Sequence, residues 1–262
     1  MKYAVKKEFT DEELIQRVTD VMEIRNVMGR HAYYHAKGLH EKELKEIWVQ
    51  KPENQQTASF GQNWGYNVGM ERIDAYYGKG SVENAQKDLE ALHGADATVE
   101  VNQENLGIGS LVIHMLTAPY IEVAADGKTA QGLWYSPGAV GGVHPDHSDG
   151  LMIYEKYGVD FMKEDGEWKI WHLFIGTDFA VPVGQDLKGD TILEQERKIA
   201  AGEMEKPKNP MADCKDPAFI PMDAYSLKYN YSFYPAIPEP YYSFDECVSN
   251  GPEGNPNYKK EG

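Results

Sequence analysis

The sequence predicts an α+β fold, in which helices come first and an antiparallel meander of strands follows. Before residue 108, apolar residues recur at the spacing typical of amphipathic helices. Two strand–turn–strand units follow, and their turns are the pairs Asp126-Gly127 and Asp165-Gly166. Because consecutive antiparallel strands form one sheet, we expect the helices to cover one of its faces.

Four helices are predicted ahead of the strands. The first follows Thr10, an N-cap with acidic residues in the next turn, and its apolar stripe includes Leu14, Val21 and Met28. The other three predicted helices are the segments "EKELKEIWVQ", "GYNVGMERIDAYYG" and "SVENAQKDLEALHG".

Side chains alternate between the two faces of a strand, so the predicted strands can be interpreted by parity. Both faces of residues 110–123 are apolar, which predicts helices on one face and another subunit on the other. His114 lies on one of these faces. In residues 150–162, Glu155 and Tyr157 lie on an otherwise apolar face. An acid and a phenol there indicate a lined pocket, or a strand end at which Glu155 pairs with a lysine.

Composition excludes several classes of partner. Forty-two acidic against twenty-six basic residues give a net charge of −16, which disfavours nucleic acid and anionic membranes. The chain contains no apolar run long enough to span a membrane and no secretory signal. Its two cysteines, Cys214 and Cys247, are too few for a disulfide framework. We therefore expect a cytoplasmic protein.

The stretch "RHAYYHAKGLH" concentrates three of the eight histidines. His31 and His35 are four residues apart, so they share a helix face, and His35 continues the inward row of Leu14, Val21 and Met28. The spacing also suits a helical zinc site, but the usual glutamate between the histidines is absent. The segment "HPDHSDG" could add ligands, although nothing brings it to this helix. An acid–base site ranks first, an ordinary helix end second and a metal site last, so no metal is predicted.

We divide the chain into a folded domain, residues 1–184, and a C-terminal extension, residues 185–262. The extension is rich in proline and tyrosine and contains one predicted helix, "TILEQERKIAAGEM". Recurring aromatic residues predict that it packs on its own domain or on a neighbouring subunit.

Residues 12–182 resemble the SnoaL-like branch of the nuclear transport factor two-like superfamily, which includes scytalone dehydratase. The resemblance is carried by "RHAYYHAKGLHEKELKEIW", "SLVIHMLTAPYIEVAADGKTAQGLWY" and "EKYGVDFMKEDGEWKIWHL". It implies a cone-shaped, curved antiparallel sheet wrapped around the N-terminal helices, with an enclosed apolar pocket. The strand histidine of the dehydratases matches His114. Their helical Tyr-Asp pair has only Tyr34-His35 as its nearest match, and their later pocket strand falls near Glu155 and Tyr157.

The resemblance implies a lyase or isomerase without a cofactor, with dehydratase- or cyclase-like chemistry on a small apolar, carbonyl-bearing ring compound. His35 or His114 would be the base, Tyr34 or Tyr157 would donate to the carbonyl oxygen, and Glu155 would orient a histidine. Predicted substrate-binding residues are His31, Tyr33, Trp64, Tyr66 and Trp134.

Two alternatives stay open. A hydrolase is possible because the Tyr-Asp pair is absent. A non-catalytic small-molecule carrier or dimeric assembly protein is possible because fold alone does not imply function. In either case we expect a homodimer or higher homo-oligomer formed through the outer face of the sheet.

Overall fold

The structure is a computed structural model, and it describes residues 8–63, 65–77, 79–143, 148–185, 194, 198, 201–205 and 234–256. The first helix begins after Thr10 with a capping box, in which Thr10 and Glu13 each bond the other's backbone N–H. The helices are α1 Asp11–Ala36, α2 His40–Glu46, α3 Pro52–Gln55, α4 Met70–Tyr77 and α5 Lys79–His93.

Seven strands form one sheet in the order β2-β1-β7-β6-β5-β3, and β4 also pairs with β5. Both predicted Asp-Gly turns are present, and Asp165 and Gly166 have φ angles of 49° and 90°. Positive φ at both central residues suits the tight turn between two long antiparallel strands. The strands are β1 Ser59–Gln62, β2 Gly65–Val68, β3 Ser110–His114, β4 Thr117–Val123, β5 Thr129–Val143, β6 Ser148–Glu164 and β7 Glu167–Pro182.

The helices lie on one face of the curved sheet, so the predicted α+β cone is confirmed. Large buried side chains from both layers fill the space between them, including Met28 of α1, Trp48, and Phe161 and Ile170 of the sheet. None of the helices in the described part of the chain is long and apolar enough to cross a membrane.

The predicted meander, β3 to β7, is antiparallel, and the additional strand β1 makes the sheet mixed because it runs parallel to β7. The segment predicted as a third helix is only partly helical: its first residues form β2, and the helix starts at Met70. Strands of four residues carry almost no periodic signal. What places β1 and β2 in the sheet is pairing with β7, more than a hundred residues later.

The strand expected over residues 110–123 is divided into β3 and β4. Within β4, Ala118 has a φ of 45°, where the β4–β5 register shifts between Thr117 and Tyr120. Both strands pair with β5, and the side chain of His114 faces α1, where its ring lies 5.0 Å from that of His35. The opposite side presents Leu111, Ile113 and Met115, which are 42–52% exposed in the single chain.

The segment 234–256 packs on the outer face of the sheet. A β-carbon at Gly158 would lie 2.2 Å from Asn250 Oδ1 and 2.4 Å from Pro235 Cβ, so the segment approaches β6 as closely as a glycine allows. Asp160, two residues along β6, accepts from Ser249 Oγ at 3.0 Å and from the Asn250 backbone N–H at 2.8 Å. These contacts are consistent with an extension that packs on its own domain, while the 184/185 boundary stays a prediction.

Candidate active site

Four histidines meet between the helices and the inner face of the sheet. His31 and His35 come from the last two turns of α1, His40 begins α2, and His114 ends β3. The His35 ring lies at the centre, with ring centroids 5.7 Å from His31, 5.1 Å from His40 and 5.0 Å from His114. We call these four residues the histidine cluster.

A sharp reversal between α1 and α2 makes this meeting possible. Gly38 has a φ of 69°, a conformation that side chains disfavour, and it ends α1. A β-carbon at Gly38 would lie 2.4 Å from the Gly107 backbone nitrogen. Only glycine therefore fits here, and the reversal returns His40 to a position beside His35.

His31 is held rigidly in the core. Its Nδ1 lies 2.8 Å from Glu43 Oε1, and the same oxygen accepts from Trp48 Nε1 at 3.2 Å. His31 is buried, with 1% of its surface exposed. Through these hydrogen bonds, Glu43 fixes the His31 ring in position next to His35.

The pair formed by His114 and Glu155 has the geometry of an oriented base. His114 Nδ1 lies 3.0 Å from Glu155 Oε2, and both side chains are less than 10% exposed. Thr177 Oγ1 donates to the other carboxylate oxygen at 3.2 Å. The carboxylate can only accept a hydrogen bond, so His114 Nδ1 carries the hydrogen. In a neutral His114 the lone pair is then on Nε2.

Two buried phenols border the cluster. Tyr157 lies opposite Trp134 in the β5–β6 register, and its hydroxyl donates to Glu155 Oε2 at 3.4 Å. Tyr77, at the end of α4, stands edge-on to His35 and His40. Burial is the main reason that the pKa values of Tyr77 and Tyr157 lie well above the ordinary value. Both phenols therefore stay protonated and can donate hydrogen bonds.

Electrostatics hold the central histidine in its neutral form. Burial lowers the pKa of His35 well below its usual value, and the imidazoles of His31, His40 and His114 lower it further. Burial also lowers the pKa of His40. A neutral imidazole can accept a proton or a hydrogen bond at one nitrogen, which is what a base requires.

Several buried polar atoms of the cluster and of the residues that contact it are unpaired. Within the described residues, His31 Nε2, Glu43 Oε2 and Tyr77 Oη have no hydrogen-bond partner. Buried polar groups are normally satisfied, so these atoms mark a place where a polar group of a ligand or a water can bind.

Not all predicted site residues reach the cluster. His31, His35, His114, Glu155 and Tyr157 do. Tyr33 is 73% exposed, and Tyr34 donates to Glu46 Oε2 at 2.5 Å, outside the cluster.

The predicted substrate-binding aromatic residues Tyr66 and Trp134 lie in different parts of the structure. Tyr66 packs on Phe174 and Tyr234 beneath the C-terminal segment. Trp134 is buried in the main core, where it stands edge-on to Phe161. Trp64 lies outside the described residues.

His40 and Tyr77 join the cluster although neither was among the predicted site residues. The only sequence signal was that His40 belongs to the histidine-rich stretch. Tyr77 had none, because the position of α4 depends on the unpredicted strands β1 and β2.

No group of three histidine, cysteine, aspartate or glutamate side chains has metal-binding geometry in the part of the chain that the structure describes. Of the alternative ligands, His144, Asp146 and His147 lie outside that part.

Comparison with known proteins identifies the family. A family model described as a SnoaL-like domain matches residues 16–173, well over half of the chain. No curated protein matches. The similar solved structures include an NTF2-like superfamily protein from Salmonella enterica, with 17% identity, covering 65% of this chain and 99% of that one, at a TM-score of 0.43.

Two further solved structures come from Novosphingobium species. An NTF2-like protein with a cystatin-like fold from N. aromaticivorans is 15% identical, with 70% and 96% coverage and a TM-score of 0.41. The hexachlorocyclohexane dehydrochlorinase LinA-type3 from N. barchaimii is 15% identical, with 68% and 97% coverage and a TM-score of 0.42.

Proposed function

We propose, since the chain belongs to the SnoaL-like domain family, that it is a cofactor-independent lyase or isomerase. Its substrate is a small, largely apolar ring compound that carries a carbonyl group. The observation that carries the proposal is the His114–Glu155 pair, 3.0 Å apart and almost fully buried beside the neutral His35.

His114 Nε2 removes the proton next to the carbonyl. The carboxylate of Glu155 fixes the Nδ1–H tautomer and stabilises the imidazolium that forms. Thr177 holds the second carboxylate oxygen, so the acid keeps its orientation while the proton moves. Within the described residues, no hydrogen bond occupies His114 Nε2, which is therefore available to a substrate.

A phenol stabilises the enolate oxygen that results. Tyr157 is one candidate, although its hydroxyl already donates to Glu155. Tyr77 is the second, and its hydroxyl has no partner in the described structure. A buried donor directed at a developing oxyanion contributes more than the same donor in water.

The test is exchange of the α-proton for deuterium, because proton removal precedes dehydration, isomerisation and cyclisation alike. A panel of cyclic ketones is incubated with the protein in D₂O, and deuterium incorporation is followed by NMR. The wild type should accelerate exchange of at least one compound, and His114→Gln should slow that exchange by roughly 10²- to 10⁴-fold.

His93→Gln is the matched control, since His93 ends α5 outside the cluster. It should exchange at the wild-type rate. Equal rates for wild type and His114→Gln would contradict the proposed base. Binding of a panel compound without any exchange would favour the carrier function instead.

The oligomeric state belongs to the same proposal. Leu111, Ile113 and Met115 form an exposed apolar strip on the outer side of β3, which we propose is covered by a second copy. Sedimentation at micromolar concentration should show a dimer, and Leu111→Glu should dissociate it. A wild-type monomer would contradict this. The cytoplasmic location stays a prediction.

A further inference from the structure

His40 lies between a histidine of the proposed site and the backbone of α4. Its Nδ1 is 3.1 Å from the carbonyl oxygen of Tyr77, and its Nε2 is 3.2 Å from His35 Nδ1. Its ring also stacks on His35 and stands edge-on to the Tyr77 ring. Both ring nitrogens are therefore engaged by defined partners.

The first of these contacts fixes the position of a proton. A carbonyl oxygen can only accept, so Nδ1 of His40 must carry hydrogen. Burial lowers the pKa of His40, which leaves it neutral with a single ring proton. Nε2 of His40 is consequently an acceptor.

The second contact then fixes the proton of the neighbour. Because His40 Nε2 accepts, the hydrogen between the two rings belongs to His35 Nδ1. We propose that His40 is a positioning residue that locks His35 in the Nδ1–H tautomer, so that His35 presents an unprotonated Nε2 to the site.

The orientation matters because of what surrounds His35. The centre of its ring lies 5.0 Å from that of His114, and the rings of His31 and Tyr77 close two other sides. A cation at His35 would repel the imidazolium that forms on His114 during turnover. The locked neutral ring instead offers a lone pair, either to a polar hydrogen of the substrate or to a proton in transit.

The lock can be observed directly, without any substrate. In ¹⁵N-labelled full-length protein, two-bond ¹H–¹⁵N spectra distinguish a protonated from an unprotonated ring nitrogen, and His35→Gln identifies the His35 signals. The wild type should show protonated Nδ1 and unprotonated Nε2 for His35. An Nε2–H pattern would overturn the proposal.

Two substitutions separate positioning from packing. His40→Phe keeps the ring volume but removes both nitrogens, and His35 should then show a mixture of tautomers. His40→Gln places an amide oxygen near the position of Nε2 and should restore the Nδ1–H pattern. An unchanged pattern in His40→Phe would also overturn the proposal.

The consequence for turnover rests on the proposed function. For an exchanging ketone, kcat/KM should fall about 10- to 100-fold in His40→Phe, by analogy with the loss of the hydrogen-bond partner of a metal-binding histidine. It should recover in His40→Gln and stay unchanged in His93→Gln. If wild type exchanges no ketone but shows the expected tautomer, the proposed function fails and the lock stands.

Discussion

Two histidine–carboxylate pairs lie on opposite faces of one sheet, and strand β6 supplies the acid of each. On the inner face His114 Nδ1 is 3.0 Å from Glu155, and on the outer face His172 Nδ1 is 2.8 Å from Asp160. Both pairs are buried and nearly equal in distance. The pairs differ in how many of their other polar atoms have hydrogen-bond partners.

The outer pair is completely engaged. Besides His172, the Asp160 carboxylate accepts from Gln131 Nε2, Ser249 Oγ, and the Asn250 backbone and side-chain nitrogens. His172 Nε2 lies 3.2 Å from the carbonyl oxygen of Thr57, so both of its ring nitrogens have hydrogen-bond partners. This pair attaches the C-terminal segment to the sheet.

The inner pair is engaged on one side only. Glu155 occupies Nδ1 of His114, whereas Nε2 makes no hydrogen bond within the described residues. The comparison teaches that a buried histidine–carboxylate pair does not indicate chemistry by itself. The unused ring nitrogen is what distinguishes a candidate site from a pair with a purely structural role.

The largest expected effect is a loss of activity when the histidine of the inner pair is replaced. His114→Gln should slow α-proton exchange by roughly 10²- to 10⁴-fold, because the base itself is lost. Its free energy of unfolding should fall by about 1–3 kcal/mol, because the buried Glu155 loses one partner but keeps Thr177 and Tyr157. Exchange kinetics and urea unfolding on the same preparation measure both quantities. A large loss of stability with unaltered exchange would reverse the assignment.

Asp160→Asn should produce the opposite result. The substitution removes the buried carboxylate that contacts His172, Ser249 and Asn250, and the loss of these contacts should cost about 3–5 kcal/mol in unfolding free energy. Exchange per folded molecule should remain at the wild-type level. Ser249→Ala removes only one donor and should cost about 1 kcal/mol, which provides a graded control in urea titrations.

Glu155→Gln should slow exchange by about 10- to 100-fold, less than loss of the base, because the amide still contacts His114 without stabilising its cation. The pH–rate profile measures the difference: if Glu155 supports the imidazolium, the acidic limb, which reports deprotonation of the base His114, should move to lower pH. A profile identical to that of wild type would show that the acid does not act through His114.

The smallest expected effect concerns the neutral ring of His35. Its folded pKa lies well below the unfolded value of about 6.5, so below that pH the unfolded chain binds more protons and stability falls. Each such group contributes at most about 1.4 kcal/mol per pH unit. His35→Gln should therefore show a shallower loss of unfolding free energy between about pH 6.5 and 5. A slope equal to that of wild type would place the His35 pKa near its ordinary value.

Local patterns predicted much of the architecture. The first helix and the two Asp-Gly hairpins depend on contacts within a few residues, so the sequence alone reveals them. The short strands β1 and β2 could not be found in this way. Their places are decided by pairing with β7, which no local pattern records.

The sequence by itself determined the elements, the acidic charge and the residue types available for acid–base chemistry, because periodicity, turn residues and composition are properties of the chain. Only the tertiary structure decided which histidines meet. It brought His40 to His35 through the reversal at Gly38, joined His114 to Glu155 across the sheet, and sent Tyr66 to the opposite face. The physical reason is that hydrogen bonds between side chains depend on distances of about 3 Å, and these arise only when elements far apart in sequence pack together.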